Sequence, residues 1–254
     1  MSDFDRNYAA ARRGVGAGRA VAIDAGLRAY MIRVYNYMAM GVALTGVVAW
    51  ATFQAAVVTN ANGAIVGLTS FGQMVFSGPA VLVLFLGTLG LVFLISWRID
   101  RLAPSTAFAL FMLYAALLGL MLSSIFLAYT LTSITRVFFI SAASFGALSL
   151  YGYTTQRDLS PIGSFLFMGM IGLFIAMLVN VFLKSSGLDF VISAAGVLIF
   201  AGLTAWDTQR IKEMYDPMED GTIVGRKAVM GALSLYLDFI NLFLFLLRLL
   251  GDRR

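Results

Sequence analysis

A hydrophobic stretch near the end of the chain, residues 232–250, reads ALSLYLDFINLFLFLLRLL. It is about as long as a helix needs to be to cross the hydrocarbon core of a bilayer. Asp238 lies near its centre. An Asp there costs roughly 2.5–3.5 kcal/mol on insertion scales, so the side chain is expected to face protein or water and to have a partner. The stretch therefore predicts a membrane helix that carries a functional acid.

The composition of the whole chain indicates a polytopic membrane protein. Of its 254 residues, 60% are hydrophobic and 12% are charged, and the mean hydropathy is +0.88. The absence of Cys and His excludes disulfides, thiol chemistry, the usual zinc sites and His- or Cys-ligated haem. The net charge of +5 comes mostly from arginines in the N-terminal tail and the loops, which indicates topology rather than nucleic-acid binding. We expect no nucleic-acid partner and no tightly bound cofactor.

Seven apolar spans recur along the chain, and they predict an all-α fold with seven transmembrane helices. We place them at about 34–58, 79–97, 104–128, 134–153, 161–183, 189–211 and 228–250. Residues 1–30 are expected to form a flexible cytoplasmic tail, and residues 31–254 the membrane domain. Positive charge puts the N-terminus and the loops at 98–103, 154–160 and 210–227 inside. The last span is expected to cross fully, with a re-entrant path as the alternative.

Asp207, near the end of the sixth span, is the natural partner for Asp238. If the sixth helix continues to Tyr215 and the seventh begins near Arg226, the two acids lie roughly 12 and 18 Å from the inner ends of their helices. Asp207 also has a local alternative, because Arg210 follows it by three residues, the spacing of a helical ion pair.

Two carboxylates that meet in a low dielectric cannot both ionise at low cost, so they are expected to share one proton. Protonated, the pair would tie two helices together, and ionised it would repel and offer oxygen ligands to a cation. Ca²⁺ prefers six to eight oxygens, so two acids, with help from Asn241 one turn away, predict weak binding. Arg98 and Arg101, at the inner end of the second span, are either topology determinants or an electrostatic latch for the pair.

The sequence gives little support to enzyme function. It offers no His base and no serine nucleophile motif. Paired membrane aspartates also occur in intramembrane aspartyl proteases, but the contexts of Asp207 and Asp238 do not match the two motifs of those enzymes. We therefore expect that the protein is not an enzyme.

Three motifs resemble a known family. They are GALSLYGYTTQRDLS at 146–160, WDTQRIK at 206–212 and SLYLDFINLF at 234–243, and they are similar to signatures of the Bax inhibitor family of membrane proteins. The resemblance covers about residues 30–250. It implies two three-helix layers around a central last helix, and a pH-sensitive calcium leak in bacterial and organellar membranes.

Carried over by residue, the resemblance places the gate acids at Asp207 and Asp238 and the basic latch at Arg98 or Arg101. Two departures stand out. Trp206 stands where many members have Tyr, and Thr88 lies about where some members carry an acid.

The first functional hypothesis is thus a pH-gated cation leak channel for Ca²⁺, the transported ion, in a bacterial inner membrane. The second is a non-conducting regulator whose tail, residues 1–30, binds a membrane quality-control protease or another membrane protein. A third is proton-coupled transport of an organic solute through the same acids. The lipid bilayer is an expected partner, and a monomer is favoured although the sequence leaves the oligomeric state open.

Overall fold

The computed structural model describes residues 3–60 and 64–254, with side chains described from Ala25 onward. The described chain is almost entirely helical, as predicted. Its elements are α1 (Asp3–Ala56), β1 (Val57–Thr59), β2 (Ile65–Leu68), α2 (Ser70–Val75), α3 (Gly78–Arg98), a 3₁₀ turn (Ile99–Arg101), α4 (Pro104–Leu122), α5 (Ile125–Ala128), α6 (Leu131–Thr154), α7 (Ser160–Leu183), α8 (Ser186–Glu213) and α9 (Gly221–Leu250).

Seven helices of the described part are long and apolar enough to cross a membrane, which confirms the predicted count. They are Ala25–Ala56, Gly78–Arg101, Pro104–Ala128, Leu131–Thr154, Ser160–Leu183, Ser186–Glu213 and Gly221–Leu250. The first begins nine residues earlier than predicted and the last begins seven residues earlier. Polar residues extend these two helices beyond their apolar spans, and hydropathy alone does not detect such extensions.

Side-chain caps fix where several helices begin. Ser77, Thr130 and Ser185 accept a backbone N–H in the first turns of α3, α6 and α8, and Asp220 accepts two in the first turn of α9. Each cap satisfies a donor that a helix leaves without an internal partner.

The segment between the first two predicted spans, for which the sequence predicts no regular structure, contains two short strands and a short helix. Strands β1 and β2 pair antiparallel, with Val57 opposite Leu68 and Val58 opposite Gly67, and α2 follows. The β-branched residues of these strands favour an extended backbone. The strands are only three and four residues long, too short for a periodic pattern to show.

Helix α9 lies at the centre of the bundle. It packs against α1, α4, α6 and α8, while α4 packs on α1 and α3, and α8 packs on α6 and α7. In the apolar stretch of α9, 72% of the residues are buried, compared with 6% in that of α7. The contacts therefore form two groups around α9, one of α1, α3 and α4 and the other of α6, α7 and α8.

The bundle has two ends. The proximal end holds the turns at 99–103, 155–159 and 214–220, and the distal end holds residues 128–131, 184–185 and 251–254. At the distal end the chain's last residues pair with the segment before α6, because the Thr130 amide donates to the Asp252 carbonyl and the Arg254 amide to the Ala128 carbonyl.

The path of α9 favours a full crossing over a re-entrant last span. This helix of 30 residues is unbroken and about 45 Å long. It begins at the proximal end and ends at the distal end, so the geometry is that of a full crossing. Arg248, Arg253 and Arg254 thus lie far from the proximal loops.

The predicted flexible tail at residues 1–30 falls mostly on residues whose side chains lie outside the described part. The flexibility of the tail and its binding to a membrane protease therefore stay predictions.

Candidate functional site

The seam between α8 and α9 brings Asp207 and Asp238 together. The two helices run antiparallel, and small residues let them approach closely. A Cβ on Gly196 would meet the ring of Phe245, and one on Gly231 would meet Ile211. These contacts set the register that places the two acids at the same level.

The acids lie at different distances from their helix ends than predicted. Asp207 precedes the end of α8 at Glu213 by six residues, or about 9 Å, and Asp238 follows the start of α9 at Gly221 by seventeen, or about 26 Å. The prediction assumed that α9 begins near Arg226. The first turns of α9 instead extend past the end of α8, and the two acids still meet.

The carboxyl groups of Asp207 and Asp238 face each other across the seam, close enough to interact. Both residues are buried, with 8% and 5% of their surface exposed. One oxygen of each, Asp207 Oδ1 and Asp238 Oδ2, accepts no hydrogen bond from any described residue. Because carboxylates are acceptors only, a hydrogen bond between the two groups requires a proton on one of them.

Arg210 is the cation beside this pair. Its Nη2 lies 3.1 Å from Asp207 Oδ1, yet no N–H points at that oxygen with hydrogen-bond geometry. The guanidinium also lies over the ring of Trp206, at 4.9 Å from its centroid. The Arg210 side chain is 46% exposed, so solvent screens the ion pair and limits its strength. The local pairing that the i,i+3 spacing suggests is therefore present together with the contact to Asp238.

Arg98 and Arg101 do not reach the acids. Both are exposed at the proximal end, and in the described part of the chain neither forms an ion pair with Asp207 or Asp238. The turn that carries them is held to the start of α9, where Arg226 Nε donates to the Leu102 carbonyl at 2.6 Å. That contact lies twelve residues, or about 18 Å, from Asp238 along the helix. The predicted latch is not formed in this structure.

Asn241 also turns away from the role predicted for it. Its side-chain amide donates to the Leu237 carbonyl of its own helix at 2.8 Å. An amide bonded to the preceding turn is a common alternative for a polar side chain within a helix. The structure therefore pairs Arg210 with Asp207, while the hydrogen bond of the Asn241 amide stays within its own helix.

A polar strip on α8 was not recognised from the sequence as a structural element. Gln209 accepts the Leu159 amide and donates to the Arg157 carbonyl, each at 2.8 Å. Lys212 Nζ donates to the Tyr153 carbonyl at 2.9 Å. These bonds clamp the end of α8 to the end of α6 and the loop after it. The signal was the run of polar residues around Asp207, which a lipid-facing helix would not carry.

The opposite face of α9 carries a second polar group, Tyr236, which is fully buried. Thr45 on α1 donates to the Ala115 carbonyl on α4 at 2.8 Å, so the Tyr236 hydroxyl donates to Thr45 at 2.6 Å. The rings of Phe111 and Tyr114 meet the Tyr236 ring edge-on. The hydroxyls of Thr45 and Tyr236 thus both have partners.

The acid pair offers few ligands to a metal ion. No group of three or more acidic side chains that could hold a cation occurs among the residues that the structure describes. Two carboxylates fall short of the oxygen number that Ca²⁺ prefers, and water would have to supply the rest. Any cation bound here is thus held weakly.

Comparisons with a family model and with known proteins agree with one another. A family model described as "Inhibitor of apoptosis-promoting Bax1" matches residues 27–254. The chain is 47% identical over 232 residues to the inner membrane protein YbhL of Escherichia coli, covering 91% of this chain and 94% of that protein. It is 47% identical over 231 residues to the uncharacterized protein RP147 of Rickettsia prowazekii, covering 91% and 92%. An uncharacterized protein of Caulobacter vibrioides is 43% identical over the full length of both chains.

Proposed function

The chain belongs to the Bax inhibitor family, and from this premise we propose that it is a pH-sensitive cation leak channel, with Ca²⁺ as the transported ion. Its gate would be the Asp207–Asp238 pair. We place it in a bacterial inner membrane, as the name of the Escherichia coli relative suggests.

The observation that carries the proposal is the contact between two buried carboxyl groups on neighbouring helices. With one shared proton, the pair holds α8 against α9. Without that proton, two negative charges face each other in a low dielectric, and each has an oxygen without a donor. The repulsion acts directly across the seam.

The clamp by Gln209 and Lys212 determines which helices separate. It fixes the proximal end of α8 to α6 and to the loop after α6. Repulsion between the acids would therefore open the seam between α8 and α9 rather than pull α8 away from α6. Water entering the opened seam would solvate the carboxylates, and a cation could then replace the missing proton as their counter-charge.

Arginines at the distal end set the expected size of the flux. Arg248 and Arg253 lie beside the distal part of the α8–α9 seam, so a cation entering there meets positive charge. Weak ligation at the acid pair and repulsion at the entrance together predict a slow leak rather than a high-conductance channel.

Reconstitution tests the proposal. Ca²⁺ uptake into liposomes loaded with a calcium dye is expected to rise as the pH is raised from 5 to 8 for the unaltered protein. In the double variant Asp207→Asn, Asp238→Asn, two neutral amides can hydrogen-bond at every pH, and uptake is expected to be slow and independent of pH. Asp158→Asn, which neutralises an exposed loop acid, is the matched control and should retain the rise.

An equal, pH-dependent uptake by the double variant would refute the gate. Uptake no faster than in empty liposomes at any pH would refute conduction itself.

A further inference from the structure

A polar cavity lies at the distal end, between α7, α8, α9 and the chain's last residues. Its volume is about 360 Å³, within the range of pockets that hold small molecules. Three charged side chains and one amide line it, Asp189, Arg248, Arg253 and Asn180, and Met177 and Val181 form an apolar wall. It is separated from the acid pair by apolar packing in which the Phe200 and Phe245 rings stack.

Arg248 lies in this cavity without an acidic partner among the described residues. Its Nη1 lies 3.8 Å from the sulfur of Met177, and its guanidinium lies 5.7 Å from the centroid of the Phe245 ring. Neither neighbour carries a charge. A guanidinium presents five N–H donors in a planar fork that matches carboxylate and phosphate oxygens. Among the described residues Arg248 makes one weak bond, to the Met177 sulfur, which leaves its other donors available.

The other polar groups add donors. Arg253 Nη2 lies 3.8 Å from Asp189 Oδ2, a long ion pair that leaves other guanidinium donors open. The Asn180 oxygen accepts the Ser185 amide, so its NH₂ group is the part of the side chain that remains available. With two arginines and one aspartate, the cavity has a net charge of +1 and favours an anion.

We propose that this cavity binds a phosphate group, held by Arg248 and Arg253 with a further hydrogen bond from Asn180. Bidentate bonds from arginine to phosphate are among the strongest that side chains make. The phosphate of a phospholipid and free inorganic phosphate share this chemistry.

The surroundings favour the phospholipid as the source. The apolar wall continues onto the outer face of α7, where Leu178, Val181 and Phe182 are exposed. A lipid with its phosphate in the cavity could lay its acyl chains along this face. The phosphate would also link the end of α7, the start of α8 and the end of α9, and so hold the distal part of the seam closed. Phosphate binding here does not require the function proposed for the acid pair, although the same two arginines border the seam.

The test uses the full chain, delipidated in detergent. Its thermal unfolding is followed during titration with micelles containing phosphatidylglycerol, and separately with inorganic phosphate. We expect the lipid to raise the melting temperature of the unaltered protein. In Arg248→Gln the lipid concentration that gives half of this rise should increase roughly tenfold, as expected for loss of one charged hydrogen-bonded contact. Arg157→Gln, which removes an exposed loop arginine, should behave like the unaltered protein.

Other outcomes are equally decisive. A rise with inorganic phosphate equal to that with lipid would identify free phosphate as the ligand. If neither titrant raises the melting temperature, or if Arg248→Gln and Arg157→Gln respond alike, the site is refuted. Should Arg248→Gln fail to fold, Arg253→Gln gives the same test from the exposed end of the cavity, with the same expected weakening.

Discussion

Tyr236 and Asp238 lie two residues apart on α9, so their side chains point about 200° apart, to opposite faces of the helix. Tyr236 faces α1 and α4. Its hydroxyl donates to Thr45, which in turn donates to the Ala115 carbonyl. Asp238 faces α8, where an oxygen of each acid lacks a donor. One helix thus has a satisfied neutral interface on one side and an unsatisfied acidic interface on the other.

The difference indicates which interface can move. A satisfied buried polar cluster is lost at considerable cost, because each of its groups would be left without a partner. The carboxyl pair loses little when the helices part, since water can then supply the missing donors. We infer that α9 stays with α1 and α4 while its contact with α8 responds to pH.

The largest expected effect comes from disrupting the hydrogen-bonded interface of α9 with α1 and α4. Tyr236→Ala removes a fully buried ring and should lower the free energy of unfolding by about 3–5 kcal/mol, as large-to-small changes of aromatic core residues do. The loss should be the same at pH 5 and pH 8, because no charge is involved. Denaturation by SDS in mixed micelles at both pH values measures it.

Tyr236→Phe is the matched control for that change. It keeps the ring and removes only the hydroxyl, so the loss should be about 1 kcal/mol, the net value of one hydrogen bond. A loss above 1 kcal/mol that also depends on pH would contradict the view that this face is neutral and separate from the acids.

The acidic face should respond in the opposite direction. Asp238→Asn supplies a permanent N–H donor to Asp207, so at pH 8 the variant should be more stable than the unaltered protein by about 1–3 kcal/mol. At pH 5, where the proposed mechanism has a shared proton joining the two groups, the difference should be near zero. The same titration at the two pH values measures this.

The reciprocal variant Asp207→Asn should give a similar gain at pH 8, reduced by the loss of the Arg210 ion pair. If Asp238→Asn destabilises the protein equally at both pH values, the acids do not share a proton and the comparison between the two faces fails.

The acid pair could be predicted from the sequence because a membrane-embedded charge is costly and therefore conspicuous. The seven spans could be predicted from hydropathy. The exact depth of Asp238 could not be predicted from the sequence. Polar residues extend α9 backward from Arg226 to Gly221, and hydropathy gives no sign of this extension. Register depends on which small residues face which rings, such as Gly196 and Phe245, and that is a tertiary property.

The partners of the polar side chains were also beyond the sequence. Arg98 ends α3 just before a turn that is held by the bond from Arg226 to the Leu102 carbonyl, a contact between residues far apart in the chain. Gln209 and Lys212 bond to backbone carbonyls, which every residue has and no motif reveals. The sequence identifies residues that are costly to bury, and tertiary packing determines which groups they contact.

The smallest expected effect concerns a third acid, which extends the comparison. Asp220 caps the same helix, and its Oδ1 accepts the Thr222 and Ile223 amides at 2.7 and 2.9 Å. These two backbone hydrogen bonds lower the pKa of the Asp220 carboxyl below its ordinary value. Its contribution to stability is therefore fully present above the unfolded-state pKa of about 3.9 and is lost as the pH falls through the lower folded-state pKa.

Asp220→Asn tests this, because Asn is a comparable helix cap that does not titrate. Between pH 5 and pH 3 the unaltered protein should lose slightly more stability than the variant, and between pH 5 and pH 8 the two should change in parallel. The exposed, satisfied acid would then lose its effect on acidification, while the buried pair weakens its seam as the pH rises. Thermal unfolding across this range measures both. If Asp220→Asn alters the change between pH 5 and pH 8, the response assigned to Asp207 and Asp238 does not belong to them alone.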